Sequence, residues 1–188
     1  ISREFMKLHA MVGTKTNVVT ACHVSDGHTN DSPLLPDLLN ATAANFTVRE
    51  VSADKGYSSH ENIGTIVGFG AAPLVAFKSN AVGYSKSPLW NRAFHYFEMN
   101  RDEFLARYHR RSNAESTFSA MKRKFGDSLR SKTRVARVNE LLLKVLCHNI
   151  VAVIHEIHES GALPVFPALA AQTCPRKLRP AQQSLLQD

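Results

Sequence analysis

The chain has 188 residues, 44% of them hydrophobic, and carries 23 Lys and Arg against 16 Asp and Glu for a net charge of +7. That is enough apolar material for one domain with a core of its own, and no stretch reads as long and apolar enough to span a bilayer. The three cysteines, Cys22, Cys147 and Cys174, are widely separated and form no C-x-x-C pair, which argues against a zinc knuckle or a disulfide scaffold and makes a reducing cytoplasm the expected setting.

In chain order, Lys7–Val24 reads as two β-rich segments around Gly-Thr-Lys-Thr-Asn, a hairpin signal. A short helix follows to about Asn45, with Asp31 as its expected cap and Pro33 in its first turn. Phe46–Asp54 reads as a strand. The chain then turns and enters a helix, where Ser58-x-x-Glu61 has capping-box spacing and Gly68 and Gly70 are the stop signals. Ala72–Lys78 is a continuous apolar run suited to a buried strand. A polar and aromatic connection, with a short helix near Pro88–Met99, leads to a helical pattern from about Arg101 to Phe125 and a long helix from about Thr133 to Ser160. The tail from Gly161 is Pro- and Ala-rich with little periodicity, and is expected to be a loose extension of a domain spanning residues 1–160. A hairpin followed by alternating strand and helix predicts an α/β fold with a mixed sheet.

The charge is concentrated. Residues 1–100 hold eight Lys/Arg and eight Asp/Glu, and residues 138–188 hold four of each. Residues 101–137 hold eleven Lys/Arg and four Asp/Glu, so this one segment supplies the whole excess. A basic segment beside a neutral body suits a polyanion, most simply nucleic acid, although a solvated helix face would look the same.

Within the segment 107–126, six Lys/Arg surround a single carboxylate, Glu115. On a helix, Tyr108, Arg111, Glu115 and Lys122 fall within roughly 60° of one another, beside an apolar stripe of Phe118, Met121 and Phe125 that faces the core. Glu115 at the edge of that stripe could ligate a metal, with Arg111 and Lys122 on phosphate oxygens and Tyr108 bonding a phosphate or stacking on a base. An ordinary Arg111–Glu115 ion pair at i,i+4 fits equally. Asp54 ends a predicted strand just before Gly56 and a helix start, where open α/β sheets bind ligands. It suits Mg²⁺, and Asp-x-Gly is also ordinary turn chemistry. His9, His23 and His28 match no zinc spacing. Trp90, in the run WNRAFHYF, reads as packing over the last strand in preference to stacking on bases.

The pattern Y-x2-R-x3-E-x6-K, met by Tyr108, Arg111, Glu115 and Lys122, resembles the signature of the DDE transposases of bacterial insertion sequences. The segment ADKGYSS resembles the block carrying that family's second catalytic Asp, here Asp54, and residues 7–39 resemble its second and third strands and first helix. The resemblance covers about residues 3–158. It implies an RNase H-like fold, with Asp54 and Glu115 as catalytic metal ligands for two Mg²⁺ or Mn²⁺ ions. Tyr108, Arg110, Arg111, Lys122, Arg123 and Lys124 become DNA-binding residues. The partners implied are the terminal inverted repeats of the transposon and target DNA, bound as a homodimer in the bacterial cytoplasm near the nucleoid, with no membrane. The reactions implied are cleavage of the element ends and strand transfer, that is, transposition and DNA recombination.

The family's first catalytic Asp lies on a strand ahead of the hairpin, and this sequence begins at the hairpin with Ile1. Asp26 and Asp31 do not match that position. The expectation is therefore an N-terminally incomplete fold lacking its central first strand, inactive by itself. Two alternatives stand beside the transposase reading: an inert DNA-binding remnant, and another RNase H-like nuclease.

Overall fold

The computed structural model describes residues 5–161. The chain opens with the expected hairpin. β1 (Met6–Val12) runs antiparallel to β2 (Val19–Asp26), in register from Met6 opposite Asp26 to Val12 opposite Val19, with an irregularity between Met11 and Val12. The Gly13 N–H donates to Val18 O at 2.8 Å to close the turn. Asn17 takes a φ of 56°, a left-handed conformation that a short polar side chain tolerates.

A 3-10 turn over Ser32–Leu34 leads into α1 (Leu35–Ala43), which buries Leu35, Leu38, Leu39 and Thr42, the i, i+3, i+4, i+7 face of a helix lying on a core. β3 (Glu50–Ala53) and β4 (Ala72–Val75) are parallel, Glu50 opposite Ala72 and Ala53 opposite Val75. A parallel pair needs a crossover, and α2 (His60–Gly68) provides it. Four helices follow: α3 (Pro88–Met99), α4 (Arg101–Tyr108), α5 (Ser112–Phe125) and α6 (Arg134–Ser160).

Three apolar clusters hold these elements. Leu35, Leu39, Val51, Ala53, Ile66 and Val75 join α1, α2, β3 and β4. Ile63, Leu74, Phe77, Trp90, Phe97 and Phe104 join α2 and β4 to α3 and α4. The indole of Trp90 is buried, lies edge-on to Phe77 at 4.9 Å and donates to Val82 O at 2.8 Å; the expected packing role is what the structure shows. The third cluster, Val19, Met121 and Val145 with Phe118 and Phe125 against it, seats α5 and α6 on the hairpin. The apolar stripe expected on residues 118–125 faces this core.

α6 is fastened by polar contacts as well. The Asn149 side chain accepts from Val19 N and donates to Val19 O, both at 2.8 Å, so one amide takes the place of a strand neighbour at the edge of β2. His148 Nε2 lies 2.9 Å from Asn17 O. Among the described residues α6 is the one helix long and apolar enough, by length and composition, to cross a membrane, with a mean hydropathy of 1.4 over its best window. The expectation that no stretch reaches this level does not hold. The excess arises because α6 is apolar on two faces, only one of which meets the core.

Several local expectations shift. Asp31 places no side-chain cap on the following turn; its carboxylate pairs with Lys7 and, at 3.2 Å, with Nδ1 of His9. His9 is buried with Nε2 2.7 Å from Ser25 Oγ, and its burial lowers its pKa despite Asp31. The cap of α2 is Ser59, accepting from Asn62 N at 3.1 Å, one residue beyond the expected Ser58. The predicted strand from Phe46 begins only at Glu50, the first residue with a partner on β4. The helical run 101–125 is interrupted by a 3-10 turn at His109–Arg111. The long helix starts where expected, and Thr133 caps it, its side chain accepting from Ala136 N at 3.3 Å. Beyond Gly161 the tail lies outside the described residues.

The mixed sheet is present as two separate pairs. β1 bonds only to β2 and β3 only to β4 among the described strands, so one edge of β1 and one edge of β3 have no strand partner.

The loop between α5 and α6 is held by Glu140, whose carboxylate accepts from Ser131 N at 2.9 Å and Arg130 N at 3.0 Å. The Ser131 bonds, then Arg130, lower its pKa from 4.5 to about 2. A depressed carboxylate pKa contributes stability above the unfolded value and loses it as pH falls through the folded value. In a form of the protein that melts cooperatively, Glu140→Gln should therefore lower the unfolding midpoint above about pH 4.5, and the difference from wild type should close towards about pH 2. A pH-independent difference would assign Glu140 a packing role.

Candidate functional site

A cleft of about 280 Å³ lies between the two strand pairs. One wall is Ala10–Val12 of β1, the other is Glu50–Ala53 of β3, and Asp54, Tyr57, Arg107, Arg110, Arg111, Glu115 and Phe118 complete it. The two unpartnered strand edges thus border the same space as the two predicted carboxylates.

Asp54 reaches the cleft because β3 ends there. It caps the 3-10 turn Lys55–Tyr57 in an extended conformation, its Oδ1 accepting from Gly56 N at 2.8 Å. A Cβ on residue 56 would stand 2.9 Å from that oxygen, so glycine is what lets the carboxylate fold back in this way. The turn role open to Asp54 is real, and it holds the carboxylate at the rim. The Tyr57 hydroxyl is pushed up to about 12 by burial, with the charges of Asp31 and Asp54 adding to it, so it remains a proton-bearing donor beside the cleft.

Glu115 lies in the first turn of α5, where the helix dipole favours a negative charge. It pairs with Arg111 at 2.7 Å, the i,i+4 contact that the sequence also allows. Arg111 is the more informative partner. Its guanidinium lies 5.6 Å over the Tyr108 ring, and its Nε is buried without a hydrogen-bond partner. Burial opposes its charge, yet Tyr108 and Glu115 outweigh burial and raise its pKa. A half-buried, permanently charged guanidinium facing a cleft with its Nε–H unsatisfied suits an anionic oxygen.

Tyr108 stacks on buried Phe104 at 5.3 Å; its ring is a floor for Arg111, packed into the aromatic cluster. Arg107, which no sequence motif marks, bolts α4 to β3 through Glu50 at 2.8 Å and Tyr96 Oη at 3.0 Å. The spacing of Arg107 and Glu103 at i,i+4 hints at a pair, but Glu50 is remote in sequence and leaves no signal. The amide of Asn113 donates to Thr14 O, tying the start of α5 to the hairpin turn.

The remaining predicted cations stand elsewhere. Arg110 lines the cleft. Lys122 lines a different groove, with Phe5, Lys7, Phe118 and Lys144. Arg123 and Lys124 line a third, with Lys15, His148 and His155. The four residues of the Tyr-Arg-Glu-Lys pattern are therefore not gathered at one point: three meet near the cleft, and Lys122 lies more than a turn further along α5. Among the described residues no group of three or more His, Cys, Asp or Glu could hold a metal ion. Asp54 and Glu115 supply two hard oxygen donors of the kind Mg²⁺ takes, and a further donor is needed to complete a site.

Fold and cleft together define a mixed α/β domain with three carboxylates, Glu50, Asp54 and Glu115, and three arginines around a slot between strand pairs. The family model described as Transposase DDE domain matches residues 2–150, and the chain belongs to that family of DDE transposases. No curated protein and no solved structure matches it.

Proposed function

We propose that this chain is part of the catalytic domain of a DNA transposase with an RNase H-like fold, and that the cleft between β1 and β3 is its active site. The observation that carries this reading is that Asp54 and Glu115, from distant parts of the sequence, line one cleft beside Arg111, whose buried Nε has no hydrogen-bond partner. In this reading two Mg²⁺ or Mn²⁺ ions, when bound, activate the attacking oxygen and stabilise the leaving one. Asp54 and Glu115 are the ligands this chain offers. Arg111 and Arg110 hold the scissile strand through phosphate oxygens, and Tyr108 keeps the Arg111 plane in place. At the element end a water oxygen bonds to phosphorus while the bond from phosphorus to the 3′ oxygen breaks, leaving a 3′-hydroxyl. That hydroxyl oxygen then bonds to a target phosphorus and displaces the target's 3′ oxygen, so one phosphodiester is exchanged for another without any redox change.

The completing ligand would come from an extended segment entering the slot. A strand there satisfies both open edges at once, and a carboxylate on it would face Asp54 and Glu115. The complete protein acts on transposon ends and target DNA, as a homodimer, on the chromosome in the cytoplasm.

Lys122, Arg123 and Lys124 carry DNA backbone across the outer faces of α5. Replacing Lys122 by Ala should weaken binding of all sequences alike and reduce the salt slope by about one unit, the share of a single phosphate-neutralising cation. The check is affinity for element-end and random duplexes over a salt series. An unchanged slope would leave Lys122 as a solvated surface residue.

A further inference from the structure

The second apolar face of α6 is unused by the domain. Val145 and His148 are buried against the hairpin, and at 100° per residue the opposite side of the helix carries Leu143, Leu146, Ile150, Val153, Ile154 and Ile157. The first five are between 46% and 58% exposed. Leu143, Leu146, Ile150, Val153 and Ile157 alternate at spacings of three and four, the seam of a two-helix coiled coil. A helix that merely closes a core has no reason to repeat this pattern on the side away from it.

We infer that this face is the contact between two copies of the chain, with the α6 helices packed antiparallel about a twofold axis near His148. In that register Leu146 meets Ile150 of the partner, and Leu143 meets Val153. The helix dipoles set the direction: antiparallel packing opposes them, and parallel packing stacks like on like. The five half-exposed side chains, with Ile157 partly covered beside them, offer on the order of 500 Å² of apolar surface per copy, a large part of the ~800 Å² a stable partner buries. The inference deepens the functional reading above, on which its biological meaning rests, since it names the surface of the homodimer. The geometry stands without the chemistry.

Cys147 is exposed beside the seam, and the proposed axis brings the two copies of it together. The test is disulfide capture, at low protein concentration, of the chain completed by the strand of the slot. Oxidation should link Cys147 to its twin, and Cys147→Ser should abolish the link. His158→Cys, on the same edge of α6 as Cys147, should not restore it in that background, because the antiparallel register holds the two positions ~30 Å apart. Leu146→Glu and Ile150→Glu, on exposed positions, should each weaken the pair by ~30-fold or more. Equal capture at Cys147 and at His158→Cys would mean parallel pairing or unspecific aggregation and overturn the assignment. So would an absence of capture, or flotation with phosphatidylglycerol vesicles that Leu146→Glu abolishes without any Cys147 link. A monomer that cuts DNA would sink the seam and leave the chemistry, and a captured dimer unable to cut would do the reverse.

Discussion

Asp54→Asn and Glu115→Gln are each expected to reduce Mg²⁺- or Mn²⁺-dependent cleavage of element-end DNA by on the order of 10³-fold or more, while DNA affinity stays close to that of wild type. Both changes keep the shape of the side chain and remove its negative charge. A hard divalent cation needs anionic oxygens, so the loss falls on metal-dependent chemistry. In the proposed function phosphate binding rests on Arg110, Arg111 and the cations of α5, and removing a nearby negative charge would not weaken it. Arg111 makes the two readings of Glu115 separable. If Glu115 served only as its i,i+4 partner, at 2.7 Å on an exposed stretch of helix, the exchange to Gln would cost a few tenths of a kcal/mol and leave cleavage intact. The measurement is single-turnover cleavage alongside a binding titration, in a protein that includes the strand of the slot. Retained cleavage in either variant would remove that residue from the site.

The slot itself carries the second large effect. β1 and β3 each present one edge without a strand partner among the described strands, and both edges border the cleft. Neighbouring strands in a sheet stand about 4.8 Å apart; an edge facing a core without a partner leaves N–H and C=O groups to be satisfied by water or not at all. Each group left buried and unsatisfied costs on the order of 1–3 kcal/mol, against a total domain stability of about 5–15 kcal/mol. A few such groups suffice to cancel the fold. Residues 1–188 alone should accordingly be poorly soluble and melt without a cooperative transition. An added strand, fused ahead of Ile1 or supplied as a peptide, should restore a sharp transition and protect the β1 and β3 amides from exchange. A cooperative melt of monomeric 1–188 with those amides already protected would show that the slot needs no strand.

Much of this architecture is legible in short-range pattern. The Gly-Thr-Lys-Thr-Asn turn announces the hairpin, Thr133 announces the start of α6, and Phe118, Met121 and Phe125 show which side of α5 is buried. These signals are local, and each involves residues within one or two turns. What the sequence hides is long-range. Asp31 looks like a cap because its neighbours are Ser32 and Pro33, yet its charge is taken by Lys7 and His9 from β1. Arg107 finds Glu50 across the fold. Lys122 shares a helical pattern with Glu115, but seven residues, about 10 Å along α5, carry it to another groove. The nearness of Asp54 and Glu115 has no local signal either; it follows from resemblance to a family, and the shared cleft is its geometric counterpart. The outer face of α6 is visible as periodicity in Leu and Ile, but only packing distinguishes the half that meets the hairpin from the half that does not.

In the proposed function Asp54 and Glu115 act as one metal site in the cleft between β1 and β3. Mn²⁺ titrated into the strand-completed protein and followed by electron paramagnetic resonance reads that site, with the two carboxylate variants and Glu156→Gln, remote on α6, as comparison. Saturable Mn²⁺ binding is expected, abolished by Asp54→Asn and by Glu115→Gln and unchanged in Glu156→Gln. Mn²⁺ binding that survives either of the first two substitutions would remove the shared site.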